Sequence, residues 1–409
     1  MFKKILSNDL NKGIIILFIT INIFNFLNFV FHFSTARLLG PADYGVLAVL
    51  MAIVNIYGVP AEAIQNMITK YSSKFNSKKE YGKIKFLMGK SLRKSLRIAS
   101  YVFIFLFILT FFLSWFLKIS FWLILFTNLI IFFSFSIPTI RGVLQGRKKF
   151  LQLGMSMVIE SGLKLFFALS FIVFGFKVFG AIGGMLMGIF AGLIFSLYFN
   201  KDLLNKKEEE TSFNGIYLRS VKYFVVTFVV LLFFSLDIIF ARKFFSAEIA
   251  GQYAVLSMLG KMIYFSTLAV GKTMFPLTSE KSGNGKESFK LFKKSLGIII
   301  VLCAIVLIFY AFFPEMIIKI LYGKQYLSMA NFLIFSGISL TFLSLTNLIL
   351  IYGLSTNRLK NPYYLFIFLA IEILLFYLFH STILEYILAF MVSNIIIFIG
   401  SFLFIKKHE

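Results

Sequence analysis

Two arginines, Arg37 and Arg242, each close a long apolar run and lead a matching stretch: ARLLGPADYGVLAVL starts at residue 36 and ARKFFSAEIAGQYAVL at residue 241. A guanidinium is a planar fork that donates paired hydrogen bonds and keeps its charge, so two in equivalent places suit phosphate oxygens at the outer mouth of a cavity. The other reading is that each anchors its helix at a membrane interface. Lys261 lies near the middle of an apolar run, too deep to snorkel easily, and no acidic residue stands within a helical turn of it. It is either a cation facing a cavity or half of an interhelical salt bridge, with Glu62 or Glu372 as partner. Lys272, nearer the inner end of the same run, is a capture point for an anion or a plain boundary cation. Glu160 and Lys164 stand four apart on one helix face and form the expected structural pair. Asn22, Asn25, Asn28 and His32 recur at helical spacing, a polar stripe that faces a cavity or a partner helix rather than lipid. Asp237 holds in its run the position His32 holds in the first, by the same offset as the arginines; it pairs with Arg242 or binds a coupling ion.

Such charges attract notice because of the medium around them. Of 409 residues, 59% are hydrophobic and 14% charged, and the mean hydropathy is +0.91, which no water-facing surface can sustain. The expected fold is an all-α integral membrane protein. The net charge of +24 does not point to nucleic acid, because the basic residues crowd short segments between apolar spans and no soluble module is present to carry such binding. Cys303 is alone, and His32, His380 and His408 are far apart, so neither a disulfide nor a metal site is expected, and no cofactor either. The first apolar run follows MFKKILSNDLNKG, is too long for a cleaved signal, and should remain as a span.

Spans of roughly 20 apolar residues can be placed at about 13–36, 44–68, 98–117, 119–140, 151–175, 178–199, 223–241, 251–275, 296–313, 328–353, 363–380 and 384–405. Twelve spans put both termini on one side. That side carries 31 Lys and Arg against seven on the other, which places both termini in the cytoplasm of a multi-pass cell-membrane protein. The most basic segment, Lys70 to Arg97, is expected to include an amphipathic helix lying on anionic lipid. The most polar connection, with KKEEE at 206–210, divides the chain into a six-helix lobe 1–205, a cytoplasmic linker 206–222 and a six-helix lobe 223–409. Six spans before the linker and six after give the lobes one orientation, a parallel repeat about an axis along the membrane normal.

The repeat is visible in the residues. Ala36, Arg37, Ala42 and Asp43 align with Ala241, Arg242, Ala247 and Glu248, and after one inserted residue Gly45, Ala48, Val49 and Leu50 meet Gly251, Ala254, Val255 and Leu256. A weaker echo sets Gly142, Arg147 and Lys149 of RGVLQGRKKF against Gly353, Arg358 and Lys360 of YGLSTNRLKN.

With RLLGPADYGVLAVL after the first span, RGVLQGRKKF after the fourth and EIAGQYAVL between the seventh and eighth, the chain resembles the polysaccharide-transporter branch of the multidrug, oligosaccharidyl-lipid and polysaccharide (MOP) exporter superfamily. The resemblance spans the whole chain in span number and order, through short motifs. It implies two six-helix lobes around a central cavity and a flippase that moves a lipid-diphosphate-linked oligosaccharide across the membrane, with Arg37, Arg242, Lys261 and Lys272 as the cations for the diphosphate. A coupling ion, Na+ or H+, would then engage Glu62, Asp237 or Glu372. A cation-coupled multidrug antiporter of the same superfamily is the alternative and needs deep carboxylates, which spans one, three, four, nine and ten lack. A membrane glycosyltransferase or polymerase needs a sizeable outer loop or paired catalytic groups, and no outer segment exceeds roughly fifteen residues by these boundaries. No enzyme activity is expected.

Overall fold

The computed structural model describes residues 9–211, 221–281 and 285–404. Both chain ends and much of the expected linker lie outside them. Among the described residues there is no β-strand. The helices are α1 Asp9–Tyr57, α2 Val59–Ser77, α3 Tyr81–Leu117, α4 Phe121–Asn128, α5 Ile130–Gly146, α6 Phe150–Phe171, α7 Lys177–Tyr198, α8 Lys201–Leu204, α9 Val221–Phe244, α10 Ala247–Glu280, α11 Gly285–Phe312, α12 Pro314–Leu321, α13 Leu333–Ser355, α14 Leu365–Leu378 and α15 Ile383–Ser401.

Nine segments among the described residues are long and apolar enough to cross a membrane. Two of them, Ile15–Ser77 and Phe150–Tyr198, are too long for one crossing of a hydrocarbon layer about 30 Å thick. Each turns at a glycine with positive φ, Gly40 at 74° and Gly175 at 91°. At Gly40 the backbone leaves the helical region, and Pro41, which has no N–H to donate, opens the next helical stretch. With the shorter apolar stretch Pro362–Leu378, the described helices accommodate the twelve expected spans.

The chain packs as two compact units, Met1–Leu39 with Ile53–Leu218, and Gly40–Ala52 with Arg219–Glu409. In the first unit, Gly180, Gly184, Gly188 and Gly192 form a ridge along α7 that brings it close to α6: a Cβ on Gly184 would lie 2.2 Å from the Ala168 backbone nitrogen, and one on Gly188 2.6 Å from the Glu160 carbonyl oxygen. Small residues at every fourth position give this close packing where lipid supplies no hydrophobic driving force between helices. In the second unit, residues 40–52 of α1 lie against the start of α10. A Cβ on Gly45 would lie 2.8 Å from the Gly251 Cα, and one on Gly251 1.7 Å from the Pro41 carbonyl oxygen. The glycines matched by the sequence repeat thus meet each other. Tyr44, fully buried, packs its ring against Tyr322 and Tyr326 at centroid distances of 6.2 and 6.3 Å.

The basic segment 70–97 does not form a separate helix on the bilayer. It is the end of α2 and the start of α3, and its apolar face is spent on the protein: Ile84, Leu87 and Met88 of α3 join Ile68, Phe75, Val143 and Leu203 in one buried cluster. The RGVLQGRKKF turn then fixes the stretch after α7. Arg147 and Lys149 both bond the Asp202 carboxylate, the lysine at 2.9 Å, and Arg147 reaches Asn200 at 3.1 Å. Lys85 donates to the carbonyls of Leu204 and Lys206 at 2.8 and 2.9 Å.

The Arg147 hydrogen bond, followed by those of Lys149, holds the Asp202 carboxyl well below the usual carboxylate range. A group depressed in the folded state contributes its stability above its unfolded pKa, about 3.9, and loses it as pH falls through the folded value. Protection of residues 203–211 from proteolysis should therefore be flat from pH 8 to 5 and weaken only in stronger acid. Asp202→Asn should lower it throughout pH 8 to 5, by about 0.5–1 kcal/mol because the side chain is half exposed.

Candidate functional site

Among the described residues, each unit brings largely buried charges of both signs together across helices. In the second, α9 presents Asp237, fully buried, to a row of donors on α10. Tyr253, Ser257 and Lys261 stand four residues apart, hence on one face. The Tyr253 hydroxyl donates to Oδ2 at 3.2 Å, the Ser257 hydroxyl donates to the same oxygen, and Lys261 Nζ donates to Oδ1 at 3.1 Å. The ammonium also lies 4.8 Å from the Phe234 ring centroid. From α15, the Tyr386 hydroxyl donates to the Asp237 carbonyl at 2.5 Å. Glu372 of α14 is fully buried and electrostatically coupled to both Asp237 and Lys261, yet neither of its oxygens has a hydrogen-bond partner among the described residues.

Lys261 is therefore not a lone cation, and among the described residues its direct partner is Asp237 rather than Glu372. Asp237 correspondingly pairs with Lys261 rather than Arg242. The helix-turn rule behind the expectation sees only neighbours on one helix, whereas this pair forms across two. The readable signal was the four-residue spacing of Tyr253, Ser257 and Lys261, donors on one stripe of an apolar helix. The Glu62 side chain lies outside the described residues.

In the first unit, Arg141 at the end of α5 donates to Glu160 Oε2 at 2.7 Å and, through Nε, to the Ser156 hydroxyl at 3.1 Å. Lys164 bonds the Asn28 side-chain oxygen and lies 4.5 Å from the Phe31 ring centroid. Glu160 thus makes its ion pair with Arg141 instead of Lys164, which keeps only a through-space interaction with it. Arg141 went unrecognised because it stands at the start of a basic turn and reads as a topology cation. Gly192 makes room for the pair, since a Cβ there would lie 2.9 Å from Glu160 Oε2 and 3.3 Å from Arg141 Nη2.

The remaining residues divide. Along the α1 stripe Asn22 and Asn25 are exposed while Asn28 and His32 turn inward, so the inner half of the stripe meets the Lys164 cluster. Arg37 and Lys272 are exposed and Arg242 is buried, so the two matched arginines occupy unlike surroundings.

Comparison with solved structures shows what these helices build. The chain is similar to a multidrug resistance MATE family transporter of the MOP superfamily in its inward-facing conformation, at TM-score 0.74 and 14% identity over 96% of this chain and 97% of that one. Its similarity to an outward-facing conformation of such a transporter gives TM-score 0.65 at 15% identity, covering 96% and 94%. A MOP superfamily transporter from Pyrococcus furiosus, described as having a binding pocket of reverse polarity, matches at TM-score 0.63 and 17% identity over 96% and 95%. No curated protein shows significant sequence similarity. The fold is that of the MOP-superfamily membrane transporters. The family described as polysaccharide biosynthesis protein matches residues 35–331, and the chain belongs to it.

Proposed function

We propose that this protein is a flippase that carries a lipid-diphosphate-linked oligosaccharide across the cytoplasmic membrane by alternating access, for cell-surface polysaccharide assembly, and that it is not an enzyme. One observation supports this most: in the first unit Arg141 and Lys164 are each less than a tenth exposed, and Glu160 forms its ion pair with Arg141, leaving Lys164 on the neutral Asn28. An uncompensated cation in a low-dielectric interior is costly, and an anionic substrate would relieve it. Lys164, whose hydrogen-bond partner is the neutral Asn28, is the residue we assign to the diphosphate. Arg37, Arg242 and Lys272 remain candidates for its capture and release, and both termini are assigned to the cytoplasm by the basic residues of the loops.

The Asp237 cluster of the second unit has the opposite excess, two carboxylates against Lys261 among the described residues. We assign the coupling ion to Glu372, which as a lone buried carboxylate would need a proton or a metal cation to be tolerated. The same carboxylate favours the second reading, a cation-coupled multidrug antiporter.

The two readings separate in a flippase-deficient strain. The protein should restore surface polysaccharide, and Lys164→Met should lower it at least tenfold at equal membrane-protein level, since truncating a buried charged contact costs about 2 kcal/mol or more. Lys164→Arg should keep more activity than Lys164→Met. Full export from Lys164→Met would remove Lys164 from the anion path.

A further inference from the structure

The third span of each unit repeats a basic stripe. Lys90, Arg93, Lys94, Ser95, Leu96 and Ile98 of α3 recur, at a constant offset of 200 positions, as Lys290, Lys293, Lys294, Ser295, Leu296 and Ile298 of α11. All six of the basic side chains are exposed, and exposed Arg97 and Lys286 extend the two stripes. Their helical spacing puts them on one face of each helix. Farther along that face the exposed residues turn apolar, with Tyr101, Ile104, Phe105 and Ile108 on α3 and Val301, Ile305 and Ile308 on α11. Those apolar faces are what lipid tails cover in a membrane protein. The cations therefore stand on the lipid side of each helix, in the turns just beyond the hydrocarbon. Lys90 to Arg97 spans about 10 Å along the axis, enough to cross a headgroup layer of roughly 5–8 Å. In each stripe a lysine also rests on an aromatic ring one turn back, Lys90 on Phe86 at 5.2 Å and Lys293 on Phe289 at 4.9 Å from the centroid.

We propose that these stripes are two equivalent docking sites for the headgroups of anionic phospholipid, one on each unit, in the leaflet on the basic-loop side. A cation that served only to orient the chain could stand on any face of its helix. Here both copies keep the charges in line with the lipid-facing apolar residues, which is the placement a phosphate at the end of an acyl chain requires. The segment that sequence reading placed flat on the bilayer thus meets lipid through the upright face of α3, and α11 supplies a second copy.

The test measures phospholipid retained by the purified full-length protein after exchange against detergent-mixed phosphatidylglycerol or phosphatidylcholine. The variant Lys90→Gln, Lys94→Gln, Lys290→Gln, Lys294→Gln should retain about tenfold less phosphatidylglycerol and unchanged phosphatidylcholine. The variant Lys90→Gln, Lys94→Gln alone should lose about half. A control of equal charge loss, Lys70→Gln, Lys74→Gln, Lys78→Gln, Lys79→Gln, removes exposed cations at the end of α2 and the following turn and should retain phosphatidylglycerol as the parent does. Equal loss in stripe and control variants would reduce the effect to bulk charge and overturn the proposal, as would full retention by the stripe variant. Misfolding would differ visibly, by lowering both lipids together.

Discussion

Gly251→Ala is expected to drive residues 40–52 off their seat in the second unit and to lower the thermal midpoint of the purified protein sharply. The new Cβ would lie 1.7 Å from the carbonyl oxygen of Pro41 and 2.4 Å from its carbonyl carbon, both backbone atoms that no rotamer change can move aside. Overpacking a well-filled site costs about 1–3 kcal/mol and more where the backbone itself must shift. Gly45→Ala, facing Gly251 Cα at 2.8 Å and its nitrogen at 2.9 Å, should act in the same direction. Gly162→Ala is the control: nothing lies within 4 Å of its Cβ, and it sits inside α6, where alanine is favoured over glycine by about 0.8–1 kcal/mol. It should hold or raise the midpoint. Equal midpoints for all three variants would show that the glycine contact does not hold this segment. The same variants bear on transport, because 40–52 is continuous in sequence with the first unit while packing in the second. We expect Gly251→Ala to lose export even where protein accumulates.

The second large effect lies at Asp237 and Lys261. Either Asp237→Asn or Lys261→Met alone should destabilise by about 3–5 kcal/mol, since each takes from a buried charge the opposite charge it is hydrogen-bonded to. The double variant Asp237→Asn, Lys261→Met should recover most of that loss, because a buried ion pair replaced by neutral groups of similar volume is often neutral or stabilising. Glu372→Gln removes a carboxyl that makes no hydrogen bond among the described residues, so it should fold well and lose ion coupling alone. Chemical or thermal denaturation of the four proteins in one detergent reads the comparison. A double variant no more stable than the worse single one would mean that the pair is not a self-contained unit.

The helical class, the spans and the glycine repeat were legible because each is a local property of the chain. Apolar length marks a span whatever it packs on, and Gly45 and Gly251 stood out by their neighbours Ala, Val and Leu at fixed spacing. Partnerships across helices were not legible. The sequence leaves Lys261 open between a cavity cation and half of a salt bridge and does not name Asp237, 24 residues away, because spacing does not say which faces of α9 and α10 meet. Glu160 was given to Lys164 by the four-residue rule, which cannot foresee that Gly192 opens room for Arg141 on the same carboxylate. The weaker echo shows the same limit. The left-handed residue that closes the helix is Lys148 in one turn and Asn357 in the other, so by backbone geometry the turns match two residues out of the register that Gly142 and Gly353 had suggested. The amphipathic pattern of 81–88 was real, but an apolar face is equally suited to lipid and to protein, and here protein covers it.

The most direct measurement places the purified protein in vesicles with a fluorescent lipid-diphosphate-linked oligosaccharide in one leaflet and follows its loss to an impermeant quencher. Protein-dependent transfer should appear, fall at least tenfold with Lys164→Met, and fail in vesicles carrying Gly251→Ala. No transfer of the lipid-linked sugar, together with Glu372-dependent movement of a cationic dye against an ion gradient, would contradict the flippase reading and establish an antiporter in its place.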